Sequence, residues 1–503
     1  MEIRFLIKDL HVVEVHGSED VQITDIQIDS RNVTNGSLFV CITGTQTDGH
    51  FYIGQALENG ARAIMVQRDV SHDYPDVTVL KVPDTNRALA NLSAVIFDYP
   101  SDNMKLIGVT GTNGKTTTTH LIESIVLGEG LKTGLMGTIC VRMPGHTEES
   151  VNTTPNALVV NETLATMLHK GVKHAVLEVS SHALSMGRLW GCNFKTAVFT
   201  NLSPDHLDYH SSMEAYFEDK ALLFSQLGNG QATFHKAAVI NRDDPYAEKL
   251  IQKTSAQIVT YGIHEPADVR ATLVSETNQG TRFNVETFKG SASITLPLFG
   301  EYNVYNALAA IGASLLEGVS LKGIKKSLES FPGVPGRSQY ILAGQPFSVV
   351  IDYAHNPDGL EKVMRAVRAH HDGRILSVLG CRGDRDVSKR PIMGSMLSKW
   401  GDSIFLTSDN PNSEEPEAII RDIKRGMDPT EAFDCMEIID RRAAIRRALQ
   451  EAKEGDCVLI TGKGHETHQV MKGKRTPFHD ETVVRELLDE LGLAKQENRK
   501  IRL

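Results

Sequence analysis

Gly108-Val-Thr-Gly-Thr-Asn-Gly-Lys-Thr116 follows an apolar run that begins at Lys105 and opens a stretch predicted as a long helix from about Lys115 to Glu129. A glycine-rich turn between strand and helix lets backbone amides approach phosphate oxygens, and the helix N-terminus adds positive partial charge. Lys115 is placed to neutralise the β- and γ-phosphates and Thr116 to hold Mg²⁺, so the stretch reads as an ATP- or GTP-binding loop. Strict Walker spacing requires glycine where Val109 stands; here the glycines occupy positions 108, 111 and 114. A plain strand–helix turn has a similar composition, and the Gly-Lys-Thr run in this context weighs against it.

Working outward, 503 residues are too many for one hydrophobic core and predict roughly three domains. Hydrophobic residues at 41% and charged residues at 23% lie in the ordinary globular range. A net charge of -10 excludes a general nucleic-acid or anionic-membrane surface, so any anion site is local. The six cysteines contain no C-x-x-C pair and read as reduced, mostly buried thiols. Charges interrupt every apolar run of the N-terminal MEIRFLIKDLHVVEV, which predicts no signal peptide, no membrane span and a cytoplasmic location.

The expected class is α/β in three domains. Residues 1–100 mix short strands (Ser37–Ile42, Ala63–Val66) with helical stretches such as Gly54–Glu58 and end near Tyr99-Pro-Ser-Asp102. Residues 101–333 form a nucleotide-binding unit with further strands at Ala175–Val179 and Ala197–Thr200 and a closing helix at Asn303–Leu316. After the Phe331-Pro-Gly-Val-Pro-Gly336 connection, residues 334–503 restart strand–helix alternation at Phe347–Ile351, Ile375–Leu379, Ile404–Thr407 and Cys457–Ile460, as in a doubly wound, Rossmann-like domain.

Polar loops after apolar strands put side chains at the carboxyl edge of a sheet. Glu178 and His206 lie in two such loops and are candidate Mg²⁺ ligands, although a carboxylate at a strand end is more often a cap or an ion pair. Lys220 sits on an apparent amphipathic helix, where an exposed lysine is the ordinary reading. Asn303 and Asn306, spaced i, i+3, read as capping residues.

Gly111-Thr-Asn-Gly-Lys-Thr116 resembles the phosphate loop of the Mur ligase superfamily, which includes folylpolyglutamate and cyanophycin synthetases. The match extends through Asp205-His-Leu-Asp-Tyr-His210 and, in order, from residue 29 to about 467. It is strongest to the branch that adds the third residue to UDP-N-acetylmuramoyl-dipeptide. The hundred residues before the loop set the chain apart from folylpolyglutamate synthetase, whose loop is close to the N-terminus. A catalytically silent nucleotide-binding descendant is the alternative of a different class, and a paralogue serving a secondary pathway is a further one.

The resemblance implies a small N-terminal UDP-binding domain, a central P-loop ATPase-like domain and a C-terminal amino-acid-binding domain. It implies ATP and Mg²⁺ as cofactors, UDP-N-acetylmuramoyl-dipeptide and a free amino acid as partners, a role in peptidoglycan synthesis, and a monomer. ATP would contact Gly111, Thr112, Asn113, Gly114, Lys115, Thr116, Thr117, Asn303, Asn306, Arg337, Asp352 and His355. The precursor would contact Ser30, Asn152, Thr153, Thr154, Ser180 and Arg188, with Met186 standing where some relatives carry glutamine. Thr116 would hold one Mg²⁺, and Glu178, His206 and a carbamylated Lys220 a second. Lys115, Glu178, His206 and Lys220 would be the catalytic set. The chemistry implied is attack of a precursor carboxylate on the γ-phosphate, followed by attack of an amine on the acyl phosphate.

The incoming amino acid would meet Arg385, Asp409, Asn410, Asn412, Gly462 and Glu466. Diaminopimelate-adding relatives carry Asp-Asn-Pro-Arg, whose arginine can grip a distal carboxylate; here the run is Asp409-Asn-Pro-Asn412. Lysine-adding relatives often show alanine there, so the run matches neither pattern. Ser413-Glu-Glu-Pro-Glu417 reads first as a helix N-terminus, with its acids favoured by the dipole.

Overall fold

Strands buried on both faces belong in parallel sheets covered by helices on either side, and the apolar runs build three such sheets. The computed structural model describes residues 1–494 apart from 45–46, 71–73, 75, 228–234 and 432. The first sheet runs Glu14–His16, Thr78–Lys81, Ala63–Val66, Leu38–Val40, Ile26–Gln27, parallel except for its first strand. Its helix Thr85–Ile96 is capped by Asp84, which accepts from the amides of Asn86 and Arg87. The chain leaves this unit through Asp98 and Tyr99, both left-handed, into a 3₁₀ turn at Pro100–Asn103.

The second sheet has eleven strands, and its centre is parallel: Gln257–Gly262, Ala237–Asn241, Phe194–Phe199, Lys105–Thr110, His174–Glu178 and Thr133–Met136. Lys105–Thr110 lies between Phe194–Phe199 and His174–Glu178, so the loops leaving Thr110, Glu178 and Phe199 emerge side by side. Val269–Thr277 joins Gln257–Gly262 in parallel and begins an antiparallel run with Gly280–Thr287 and Gly290–Leu296; at the other end Cys140–Met143 and His146–Glu149 are antiparallel. Helix Lys115–Gly128 packs on Glu301–Leu316 over one face of the sheet. Helices Ala157–His169 and Met213–Ser225 cover the opposite face.

The third sheet orders Gln339–Tyr340, Ser348–Asp352, Cys457–Thr461, Ile375–Leu379, Ser403–Leu406 and Asp434–Glu437, parallel after its first strand. Apolar side chains of both faces form separate clusters. A hairpin, His468–Met471 with Lys474–Pro477, stands apart as its own two-stranded sheet. Among the described residues no helix is long and apolar enough to cross a membrane. All six cysteines are free; Cys41, Cys140, Cys381 and Cys457 are buried, and Cys192 and Cys435 are half-buried.

Candidate active site

The phosphate loop depends on two glycines with positive φ. At Gly111 (φ 142°) a Cβ would lie 2.0 Å from Thr200 Oγ1, and at Gly114 (φ 88°) 2.3 Å from Asn306 Oδ1. The loop is therefore pressed against the neighbouring strand end on one side and the helix Glu301–Leu316 on the other. Asn306 also accepts from Thr118 Oγ1 (3.4 Å) and donates to Asn303 Oδ1 (3.1 Å), while Asn303 donates to the Phe299 carbonyl (2.8 Å). The two asparagines thus brace the loop rather than cap a helix alone.

Lys115 Nζ donates to the carbonyls of Gly111 and Thr112, both at 2.8 Å, and burial lowers its pKa. Thr112 Oγ1 meets Tyr216 Oη at 3.2 Å and donates to the Ser203 carbonyl, and the Asn113 amide donates to Asn201 Oδ1 at 3.0 Å. Thr117 is buried in the first helical turn. Lys220 is 2% exposed; its Nζ donates to the same Gly111 carbonyl at 2.9 Å and lies 4.4 Å from the Tyr216 ring centroid. Burial first, and then the nearby Lys115 charge, pushes the Lys220 pKa well below the usual lysine value.

Glu178 is 1% exposed and fully engaged. Its carboxylate accepts from Thr116 Oγ1 (2.9 Å), Thr138 Oγ1 (2.9 Å) and the Thr138 amide (2.8 Å). Adjacent ligand oxygens of octahedral Mg²⁺, each about 2.1 Å from the ion, stand about 3 Å apart, so Thr116 Oγ1 and Glu178 Oε2 fit neighbouring corners of one shell. His206 adopts φ 56°, and enclosure in the cleft pushes its pKa down to about 3, with Asp205 opposing. A neutral imidazole suits metal ligation. Among the described residues no three His, Cys, Asp or Glu side chains gather as a cation cage.

Thr154 Oγ1 donates to the Glu178 carbonyl (2.7 Å) and accepts from the Ser180 amide (3.1 Å), while Thr153 Oγ1 meets Thr138 Oγ1 at 3.0 Å. Arg188 donates to the Thr154 carbonyl at 2.9 Å and contacts Met186 Sδ at 3.3 Å. Thr138, Asn152, Thr153, Thr154, Ser180 and Arg188 line a cavity of about 710 Å³ that also takes in Lys115, His206 and the C-terminal loops. Ser30 is elsewhere, bonded to Gln55 Oε1 at 2.6 Å in the first domain.

From the third domain, Arg337 donates to Thr116 Oγ1 (3.0 Å) and stacks over Tyr353. Asp352 accepts from the amides of Ser338 (2.6 Å) and Ala354 (2.7 Å), and His355 lies 3.8 Å from Asp205, its pKa lowered to about 4 by burial. Asp409 is buried with one oxygen unpartnered and Lys463 at 3.9 Å; burial raises its pKa. Glu466 accepts from Lys463 (3.0 Å), Asn410 (2.7 Å) and Arg382. Gly462 and Arg385 line the same cavity. Asn412 does not: at φ 54° its amide side chain donates to the Gly383 carbonyl at 2.8 Å.

Sequence reasoning passed over the junction that closes the cleft. Asn356 Nδ2 donates to Asp205 Oδ2 (2.8 Å) and to Asn113 Oδ1 (3.2 Å), and Asn113 Nδ2 donates to Asp358 Oδ2 (2.7 Å). Asn356 also caps helix Pro357–His370 through the Gly359 amide at 2.8 Å. The Asn-Pro pair is a readable helix-start signal; Asp205 and Asp358 carry no local signal, because their partners lie 151 and 245 residues away.

With this arrangement in place, the chain matches three family models in order: Mur ligase family catalytic domain over residues 22–96, Mur ligase middle domain over 109–314, and Mur ligase glutamate ligase domain over 336–464. It is 43% identical to the UDP-N-acetylmuramoyl-L-alanyl-D-glutamate--2,6-diaminopimelate ligase of Oceanobacillus iheyensis, covering 98% of this chain and 100% of the relative. The chain belongs to the Mur ligase family. The ligase of the same name from Bacillus licheniformis is 45% identical over 94% of this chain and 96% of its own. A solved UDP-N-acetylmuramoyl-L-alanyl-D-glutamate--2,6-diaminopimelate ligase superposes with TM-score 0.68 at 33% identity, covering 98% of this chain and 99% of its own. MurF from Acinetobacter baumannii shares the fold at TM-score 0.68 and 22% identity, covering 97% of this chain and 98% of its own. As a Mur ligase, the protein is an ATP-dependent enzyme that forms an amide bond.

Proposed function

We propose that this ligase joins a diamino acid to the D-glutamyl carboxylate of UDP-N-acetylmuramoyl-L-alanyl-D-glutamate, a cytoplasmic step of peptidoglycan synthesis. The observation that carries this reading is the single cavity shared by Lys115 and His206 of the second domain, Asn152, Thr153 and Ser180 beside them, and Asp409, Asn410 and Glu466 of the third. Its support for the substrate is the relatives' printed names over nearly the whole chain.

In this reading the first-turn amides of helix Lys115–Gly128, which have no intrahelical partner, and the Lys115 ammonium receive the triphosphate, Lys115 exchanging its carbonyl partners for phosphate oxygens. Arg188 and Ser180 orient the precursor so that its carboxylate faces the γ-phosphate. The carboxylate oxygen attacks phosphorus and ADP leaves. The amine, held beside Glu466, then attacks the acyl carbon, and phosphate departs with the carboxylate's former oxygen. Asn113, Asn356 and Asp205 hold the two lobes together, and positioning and charge neutralisation account for most of the rate gain.

Thr116, with Glu178 beside it, would hold one Mg²⁺, and Glu178, His206 and Lys220 in its carbamylated form a second; Mg²⁺ would supply charge neutralisation at the phosphate oxygens. Burial lowers the Lys220 pKa and so raises the share of the free amine that carbon dioxide requires, which favours carbamylation of Lys220. Released phosphate is the test: it should appear only when ATP, UDP-N-acetylmuramoyl-dipeptide and an amine are all present. Phosphate release independent of precursor and amine would overturn the proposal.

A further inference from the structure

Glu178, His206 and Lys220 come from three separate segments: the end of strand His174–Glu178, the loop 201–210, and helix Met213–Ser225. A row of side chains behind the cavity ties these segments to one another. His210 Nδ1 lies 2.9 Å from Asp219 Oδ2, and His210 Nε2 lies 2.9 Å from Ser181 Oγ. Ser181 comes three residues after Glu178, His210 four after His206, and Asp219 directly precedes Lys220.

A carboxylate only accepts, so Nδ1 carries the proton, and Nε2 of the neutral ring accepts from the Ser181 hydroxyl. The same order of groups activates the nucleophile of serine hydrolases, and burial decides against that role here. Ser181 is 2% exposed, and its neighbours Ser180 and His182 line the cavity while Ser181 does not. A hydroxyl so enclosed meets no substrate carbonyl. What the row provides is a fixed separation between the three segments.

The surroundings of His210 make that separation rigid. Its ring is buried and packs 4.8 Å, centroid to centroid, from the Tyr216 ring, which in turn lies 4.4 Å from Lys220 Nζ. The His210 amide donates to the His206 carbonyl at 2.9 Å, which fixes the turn that carries His206 at its left-handed φ of 56°. The other acids of helix Met213–Ser225 look outward: Glu214 pairs with Lys249 (3.2 Å) and Glu218 with Lys253 (2.8 Å) at the surface. Asp219 is the acid of this helix that turns inward.

We propose that Asp219, His210 and Ser181 are positioning residues that hold Glu178, His206 and Lys220 at the separation one shared Mg²⁺ requires. Groups behind metal ligands orient them in this way without touching the ion. The inference rests on the two-ion arrangement proposed above.

The test uses the full-length enzyme with ADP and with Mn²⁺ as probe ion, bound Mn²⁺ being counted by loss of the free-ion electron spin resonance signal. The Mg²⁺ concentration that half-saturates turnover is measured beside it. Wild type should bind two ions. Ser181→Ala and Asp219→Ala should each weaken the second ion about 10-fold and raise the Mg²⁺ requirement similarly. Asp219→Asn, whose amide oxygen can still accept from the ring, should fall between Asp219→Ala and wild type. The Ser181→Ala/Asp219→Ala double variant should be little worse than either single one, because the links act as a unit. Glu218→Gln should match wild type. Excess Mg²⁺ should restore most of kcat in either single variant, which general damage to the fold would not allow. Unchanged Mn²⁺ affinity in both single variants, or a loss of turnover that excess Mg²⁺ does not restore, would overturn the inference and leave the two-ion arrangement standing. A wild type that binds one ion would overturn that arrangement and the inference with it.

Discussion

Asn356 does two jobs that substitution can separate. Its Oδ1 caps helix Pro357–His370 through the Gly359 amide, and its Nδ2 donates across the lobes to Asp205 and Asn113. Burial raises the Asp205 pKa, but His355, His206, Lys389 and Asn356 outweigh it and hold the carboxyl ionised. Losing a cap costs about 1 kcal/mol, and losing a hydrogen bond to a charged group about 1.5–3 kcal/mol. Asn356→Ala gives up both, about 2.5–4 kcal/mol in total, divided between stability of the third domain and closure of the cleft. Asn356→Asp keeps the cap and sets a second carboxylate against Asp205, so only closure suffers. Melting and steady-state kinetics on the same preparations read the two terms. Asn356→Asp should melt close to wild type yet lose about 10- to 100-fold in kcat/KM for ATP, the rate equivalent of the lost bond. Asn356→Ala should lose both. Wild-type turnover in Asn356→Asp would refute the idea that this junction holds the working arrangement.

Lys115→Ala should suppress turnover by at least about a hundredfold while leaving precursor affinity, measured by calorimetry, within a few-fold; equal loss of both would contradict the division of labour between loop and precursor site. Lys220→Ala should be inactive and partly restored by a short-chain carboxylic acid, with the intact protein showing the carbamate mass in gentle mass spectrometry; no rescue and no added mass would count against the carbamate. Gly114→Ala should lower nucleotide affinity, because the new Cβ meets Asn306 Oδ1 at 2.3 Å in a backbone conformation that disfavours it; unchanged affinity would be the contrary result. Glu317, fully buried among Lys195 (2.8 Å), His174 and Lys105 (both 3.4 Å), has a pKa that burial raises but these partners lower overall. Its contribution is present above the unfolded value near 4.5 and fades as pH falls through the lower folded value. Glu317→Gln should therefore cost about 3–5 kcal/mol at neutral pH and progressively less in acid; a pH-independent cost would be inconsistent.

Much of the architecture was legible because fully buried strands leave apolar runs. Ile375–Leu379 matches the observed strand, and the runs at 175–179 and 404–407 are displaced by one residue. Ser37–Ile42 yields only Leu38–Val40: the Ser37 amide turns back to the Thr34 carbonyl and the Ile42 carbonyl accepts from Gly49, although Cys41 still donates to Met65 of the neighbouring strand. The antiparallel strands Val269–Thr277, Gly280–Thr287 and Gly290–Leu296 were not anticipated. One face of each is solvated, so polar residues such as those of Gly290-Ser-Ala-Ser break the apolar signal.

In the site, the phosphate loop announced itself because its chemistry is local. Lys220 did not: taken alone a helical lysine belongs at the surface, and only the fold puts the Gly111 carbonyl over it. The Asn356–Asp205 and Asn113–Asp358 contacts were equally hidden, because no local pattern records which side chains meet after three domains assemble. Asn412 shows the reverse problem, a residue whose type suggested a substrate contact but whose left-handed backbone explains why asparagine is accommodated there.

The most direct measurement follows an oxygen atom. With heavy oxygen in the precursor's acceptor carboxylate, one turnover with ATP and the amine should deliver one heavy oxygen into the released phosphate, because that oxygen bridges carbon and phosphorus in the acyl phosphate. Phosphate carrying no label, from an enzyme that still makes amide, would show that the carboxylate is not activated by phosphoryl transfer in this cleft.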